Sequence, residues 1–200
     1  MSPQQRSMLL TLHAVRLLGF AGTEPIAERF GQDPPDVERC LIDAGANGWA
    51  LRSAFGGTRG WSLTLAGRAE NERLLAAELN TAAGRTAVSG VHSDFASLNT
   101  VVVTACSKIQ LQRLTDEPRP EGIDEQTRQT LAQALTSLRG LEARLTAVLP
   151  RFSGYANRLE LALTNAATEQ AWLTATDRDS FHRIWFELHE DLIATLGIQR

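Results

Sequence analysis

Cysteine is nearly missing from this chain, with two thiols, Cys40 and Cys106, in 200 residues. So few exclude a disulfide framework, and the pair does not stand at metal-ligand spacing. Both fall on apolar helix faces, where a small buried thiol is the ordinary occupant. Long hydrophobic runs are missing too. The apolar stretch from Met8 to Phe20 is interrupted by His13 and Arg16, so neither a secretory signal nor the roughly 20-residue apolar run of a membrane span is expected. A soluble cytoplasmic protein is the plain expectation. Lysine occurs once, at Lys108, against 19 arginines, and the formal net charge is −3. That balance argues against general polyanion binding, although a sequence-specific DNA reader needs only a local basic patch.

Catalytic frames are equally scarce. Gly56-Gly57 is not followed by the Gly-Lys-Ser/Thr of a phosphate loop, and no Gly-x-Ser-x-Gly elbow occurs. No carboxylate pair sits in a recognisable acid/base frame. The expectation is a protein that is not an enzyme and carries no cofactor. There is no internal repeat and no low-complexity segment.

What is present begins with a helix over 7–20, striped by Leu9, Leu12, Val15, Leu17 and Leu18 and ended by Gly19 and Gly22. Residues 23–68 organise the rest of the first half. Thr23–Phe30 reads as a short helix stopped by Gly31. Asp33-Pro34-Pro35 starts a second one running to Ala46, with Val37, Cys40, Leu41 and Ala44 at helical spacing. Residues 49–51 and 61–63 read as strands around a glycine-rich turn at 55–60. Helix, helix and two-stranded wing is the layout of a winged helix-turn-helix, which most often places its second helix in the DNA major groove. A helix over 69–79 follows. The small, polar stretch 81–90 is the best boundary, giving a winged-helix domain over 1–80 and a helical domain over 91–200.

The second half reads as four antiparallel amphipathic helices, an up-down bundle. One covers 93–114, and a loop over 115–122 leads to Asp124 as an N-cap. The next carries Leu131, Ala134, Leu138, Leu141, Leu145 and Val148, and Pro150 breaks it. A third contains Phe152, Tyr155, Leu159, Ala162 and Ala166. The last opens at a capping-box-like Thr176–Asp179 and ends at Gly197. The fold class expected is therefore mainly α: a winged helix followed by a four-helix bundle.

Leu63-Thr64-Leu65-Ala66-Gly67-Arg68 resembles the Leu-Thr-x-x-Gly-Arg segment that closes the wing in bacterial MarR-type regulators. Ile26-Ala27-Glu28-Arg29-Phe30-Gly31 and Gly48-Trp49 resemble the surrounding helix patterns of that family. The resemblance covers the first 80 residues, and Gly57-Thr58-Arg59-Gly60 stands where the family's wing has an Asp-Arg pair. The plan of a winged helix joined to a helical effector domain is similar to GntR-type regulators. It implies a cytoplasmic transcriptional regulator, a homodimer on a double-stranded, pseudo-palindromic operator, answering to a small-molecule effector or a protein partner.

The residues expected at the DNA are Arg39, to a base edge or phosphate, with Arg52 and Arg59 to phosphates or the minor groove. Against them stand Asp33, Asp36, Glu38 and Asp43 on the same presumed recognition helix. That acidity favours an alternative, an adaptor whose winged helix docks a partner protein instead of DNA. In the second half, six of the twelve aromatics lie within residues 152–186. They read as packing or as the wall of an effector pocket, with Tyr155, Trp172 and Trp185 as the wall and Arg158 and Arg178 holding an anionic group. His182, His189, Asp179 and His92 share helix faces, but they read as surface groups, and no metal is expected.

Overall fold

In a computed structural model the structure describes residues 1–112 and 121–198. They form a mainly helical protein with one small sheet. The described residues divide into two compact units: Met1–Ala83 together with the chain's end from Ile193, and Gly84–Leu192. None of the described helices is long and apolar enough to cross a membrane.

The first unit holds α1 (Pro3–Leu18), α2 (Thr23–Arg29), α3 (Pro34–Ala46), β1 (Ala50–Phe55), β2 (Thr58–Leu63) and α4 (Leu65–Thr81). Helix α1 starts four residues earlier than its apolar stripe predicts. Ser2 and Gln5 form a reciprocal capping box, and Pro3 occupies the first turn, where its missing N–H costs nothing. Leu9, Leu12, Val15, Ile26, Val37, Leu41, Trp61, Leu74 and Leu75 close one apolar core, to which Ala194 at the end of α9 (Phe181–Leu196) also belongs. Each large side chain buried there contributes about 1.5–3 kcal/mol relative to exposure. His13 is fully buried beside them, within 3.3 Å of Asn71 on α4 and stacked on Phe30.

The small polar stretch expected as a linker is mostly helix. Helix α5 runs Arg85–Gln112, so only residues 82–84 separate it from α4. Its sequence cue was misleading because Ala, Ser and Thr dominate, and Val88, Val91 and Phe95 supply the buried side. Helix α6 (Glu125–Thr146) starts at Asp124, whose carboxylate accepts the Thr127 N–H at 2.8 Å, the cap expected. Most of the predicted loop over 115–122, and residues 113–114, lie outside the described residues. Pro150 opens a 3-10 turn, and Gly154 (φ +96°) leads into α7 (Tyr155–Ala166). A short helix α8 (Ala171–Thr174), too brief to leave a periodic pattern, precedes the last helix. Helix α9 is capped by Ser180, which accepts the Arg183 N–H at 3.3 Å, and not by the Thr176–Asp179 segment. The buried faces are Val102 and Ile109 on α5, Leu131, Leu138 and Leu145 on α6, Leu159 on α7 and Phe181, Trp185 and Leu188 on α9.

Candidate nucleic-acid interface

The hairpin that carries two of the arginines is set by its turn. Gly56 (φ +57°) and Gly57 (φ +81°) both take the left-handed conformation that a two-residue hairpin turn of matching twist requires. The turn fixes an antiparallel register in which Arg52 faces Trp61 and Ala54 faces Arg59. Since side chains alternate across a strand, Arg52, Arg59 and Trp61 share one face. Strand β2 is pinned to the link between α1 and α2. The Trp61 N–H donates to Ala21 at 2.8 Å, and the Ala21 N–H donates back at 3.2 Å. A Cβ at Gly60 would stand 2.8 Å from the Phe20 ring, so glycine is what lets the two segments meet.

The segment after β2 ties the wing to the exit of α3. Thr64 caps α4 by accepting the Gly67 N–H at 3.0 Å, and its hydroxyl donates to the Gly48 carbonyl at 2.7 Å. The Thr64 N–H donates to the Trp49 carbonyl at 3.0 Å. One residue thus holds the end of α3, the base of the hairpin and the start of α4. That is a physical reason for a hydroxyl side chain at position 64.

Between the shared hairpin face and the first residues of α2 and α3 lies an open cleft of about 400 Å³, walled by Thr23, Pro34, Glu38, Arg52, Arg59 and Trp61. The Thr23 hydroxyl donates to Glu38. The other Glu38 oxygen lies 3.8 Å from Arg52, whose guanidinium stands 5.6 Å from the Trp61 ring centroid. Arg39 pairs with Asp36 one turn away on α3. Arg59 is exposed and makes no ion pair among the described residues. Of the three predicted contacts, the structure brings Arg52 and Arg59 into one cleft and leaves Arg39 on the outer face of α3. That face also exposes Asp36, Asp43 and Ile42. Sequence reading missed Thr23 and missed Glu38 as the partner of Arg52. The shared face of Arg52, Arg59 and Trp61 could have been counted from the Gly-Gly turn.

The second predicted group lies in the other unit. Arg158 sits between Asp179 and Glu187, 2.9 Å from an oxygen of each. Burial lowers its pKa, but the hydrogen bonds and charges of Glu187 and Asp179 outweigh this and raise it. Arg178 pairs with Glu169 at 2.7 Å and Asp177 at 3.0 Å and lies 5.4 Å from the Trp172 ring centroid; Trp172 donates to the same Glu169. Tyr155 is buried and donates to Asp191 at 3.0 Å; that carboxylate also takes the buried Arg151. Trp185 is buried, stacks on Phe95 at 4.8 Å and donates to Asn99. The Arg158 guanidinium also stands 6.0 Å from the Tyr155 ring centroid, so Arg158 lies with Tyr155 and Arg178 with Trp172, and both arginines already face carboxylates. His92 stacks on His189 at 6.4 Å. Among the described residues no cluster of three or more His, Cys, Asp or Glu is placed to hold a metal ion.

No family model, no curated protein and no solved structure matches the chain.

Proposed function

We propose that the chain is a DNA-binding transcriptional regulator, working as a homodimer in the cytoplasm on a double-stranded operator. The observation that carries this reading is the exposed outer face of α3 beside a hairpin whose Arg52 and Arg59 share a face. In this reading α3 enters the major groove, Arg39 meets a base edge or phosphate, and the hairpin arginines meet the backbone. The resemblance of residues 63–68 to the wing-closing segment of MarR-type regulators agrees with it. The helical unit is the seat of an effector or partner that changes the spacing of the two recognition helices.

Fluorescence anisotropy against DNA from the gene's own upstream region, titrated with salt, tests the proposal. Affinity should fall with a log–log slope of about −0.9 per phosphate contacted, and Arg52→Ala/Arg59→Ala should weaken binding and flatten the slope by about two contacts. Absence of binding at low salt to any upstream fragment would reject it.

A second reading, a docking module for a partner protein, is favoured by one observation. The exposed side of α3 carries Asp36 and Asp43, and Ile42 is 56% and Leu51 60% exposed. A stoichiometric protein partner retained from nuclease-treated lysate, and lost with Ile42→Asp, would support it.

A further inference from the structure

Two helix starts and the two hairpin arginines line the cleft: Gly22, Thr23 and Glu24 at α2, where no side chain caps the helix, and Pro34 and Pro35 at α3. Pro34 and Pro35 open α3 without backbone N–H groups, and the next two, of Asp36 and Val37, already donate to the Asp33 carbonyl. On the α3 side an anion entering here is therefore met by Arg52 and Arg59 and not by backbone N–H groups. Yet the Arg52 guanidinium already faces an oxyanion of the protein itself. Glu38 uses one oxygen for the Thr23 hydroxyl and presents the other to Arg52. Glu24 adds a second carboxylate to the lining. The side chains of Arg52 and Glu38 are 59% and 33% exposed, and 3.8 Å is longer than a hydrogen bond. Such a pair is weak, equivalent to about a two- to fivefold factor in an equilibrium, and so is exchangeable.

We propose that the Glu38 carboxylate is the resident of an oxyanion site in this cleft, and that a phosphodiester group of bound DNA takes Arg52 over from it. The proposal rests on the DNA-binding reading above. Thr23 keeps Glu38 in place when Arg52 leaves, so the exchange needs a movement of the arginine side chain alone. Glu38 is then a positioning residue that sets how strong a phosphate contact must be before the hairpin engages.

The test is a double-mutant cycle read by anisotropy on upstream DNA across salt, with wild type, Glu38→Gln, Arg52→Ala and the double variant. Glutamine keeps an acceptor for Thr23 and removes the charge. The expected result is about two- to fivefold tighter binding by Glu38→Gln at an unchanged salt slope. Arg52→Ala should reduce the slope by about 0.9, and in that background Glu38→Gln should give no gain. An equal gain in both backgrounds would overturn the proposal, because Glu38 would then act only as a repulsive charge. Binding by wild type with no gain from Glu38→Gln would also overturn it while leaving the DNA-binding reading intact. If none of the four proteins binds, the reading itself fails and takes the proposal with it. Glu38→Ala, checked for an unchanged thermal melt, repeats the comparison should the glutamine variant fold poorly.

Discussion

Gly67 and Trp49 approach so closely that a Cβ on Gly67 would stand 1.9 Å from the Trp49 carbonyl oxygen. The same carbonyl accepts the Thr64 N–H, so α4 begins against the exit of α3 with no room to retreat. Gly67→Ala should cost about 1–3 kcal/mol, the usual range for overpacking a tight contact. Gly140, on the exposed side of α6 with nothing within 4 Å of a Cβ, is the control. Gly140→Ala should stabilise by about 0.4–1 kcal/mol. Urea unfolding of both variants decides; equal effects would mean that the contact with Trp49 carries no weight.

Asp191 is fully buried and receives both the Tyr155 hydroxyl and the Arg151 guanidinium, itself nearly buried. Asp191→Ala should destabilise by about 3 kcal/mol or more, since removing one side of a buried pair leaves a desolvated charge behind. Tyr155→Phe removes one hydrogen bond to a charged acceptor and should cost about 1.5–3 kcal/mol. Chemical denaturation gives both numbers, and a loss below about 0.5 kcal/mol for Asp191→Ala would contradict the assignment.

Burial pushes the Cys106 thiol up to about 12. At pH 8 only about one part in ten thousand is thiolate, the reactive form. Native protein should therefore leave Cys106 unmodified by a thiol reagent while half-buried Cys40 is the first to react. Both should react in denaturant. Mass spectrometry of the two peptides distinguishes them.

Asp124 accepts the backbone N–H and the hydroxyl of Thr127, with Lys108 at 3.2 Å. The backbone hydrogen bond chiefly holds its carboxyl below the ordinary value. With the folded pKa below the unfolded one of about 3.9, the stabilisation is complete above that value and is lost as pH falls through the folded pKa. Asp124→Ala should cost about 1 kcal/mol at pH 7, and the gap to wild type should close as pH drops below about 4. Thermal melts of both proteins between pH 7 and 2.5 show whether it does.

Much of the fold is legible because its signals are local. The stripe Leu131–Leu145 predicts the buried side of α6 and Asp124 its start, each a matter of a few neighbouring residues, whereas the helix ends at Thr146, ahead of both Val148 and Pro150. The start of α1 was missed because Ser2 and Gln5 form a cap outside the apolar stripe. The first turns of α5 carry no clear stripe because they are small and polar, although Val88 and Val91 are buried. The candidate site is legible in part. The arginines could be named, but the pairing of Arg39 with Asp36 and of Arg52 with Glu38 depends on rotamers and on a meeting of distant segments.

By itself the sequence determined the helix–helix–hairpin order and the helical second half, while the longer strands Ala50–Phe55 and Thr58–Leu63, and with them the face shared by Arg52, Arg59 and Trp61, came with the structure. Only the tertiary structure decided that Thr23 and Glu38 meet in front of Arg52, that Asp191 gathers Tyr155 and Arg151, and that Ala194 joins the core built around Leu9 and Leu75. Periodicity and capping arise from hydrogen bonds and burial within a few residues, so they leave a pattern in the chain. Contacts across tens of residues arise from packing, and packing leaves no local pattern to read.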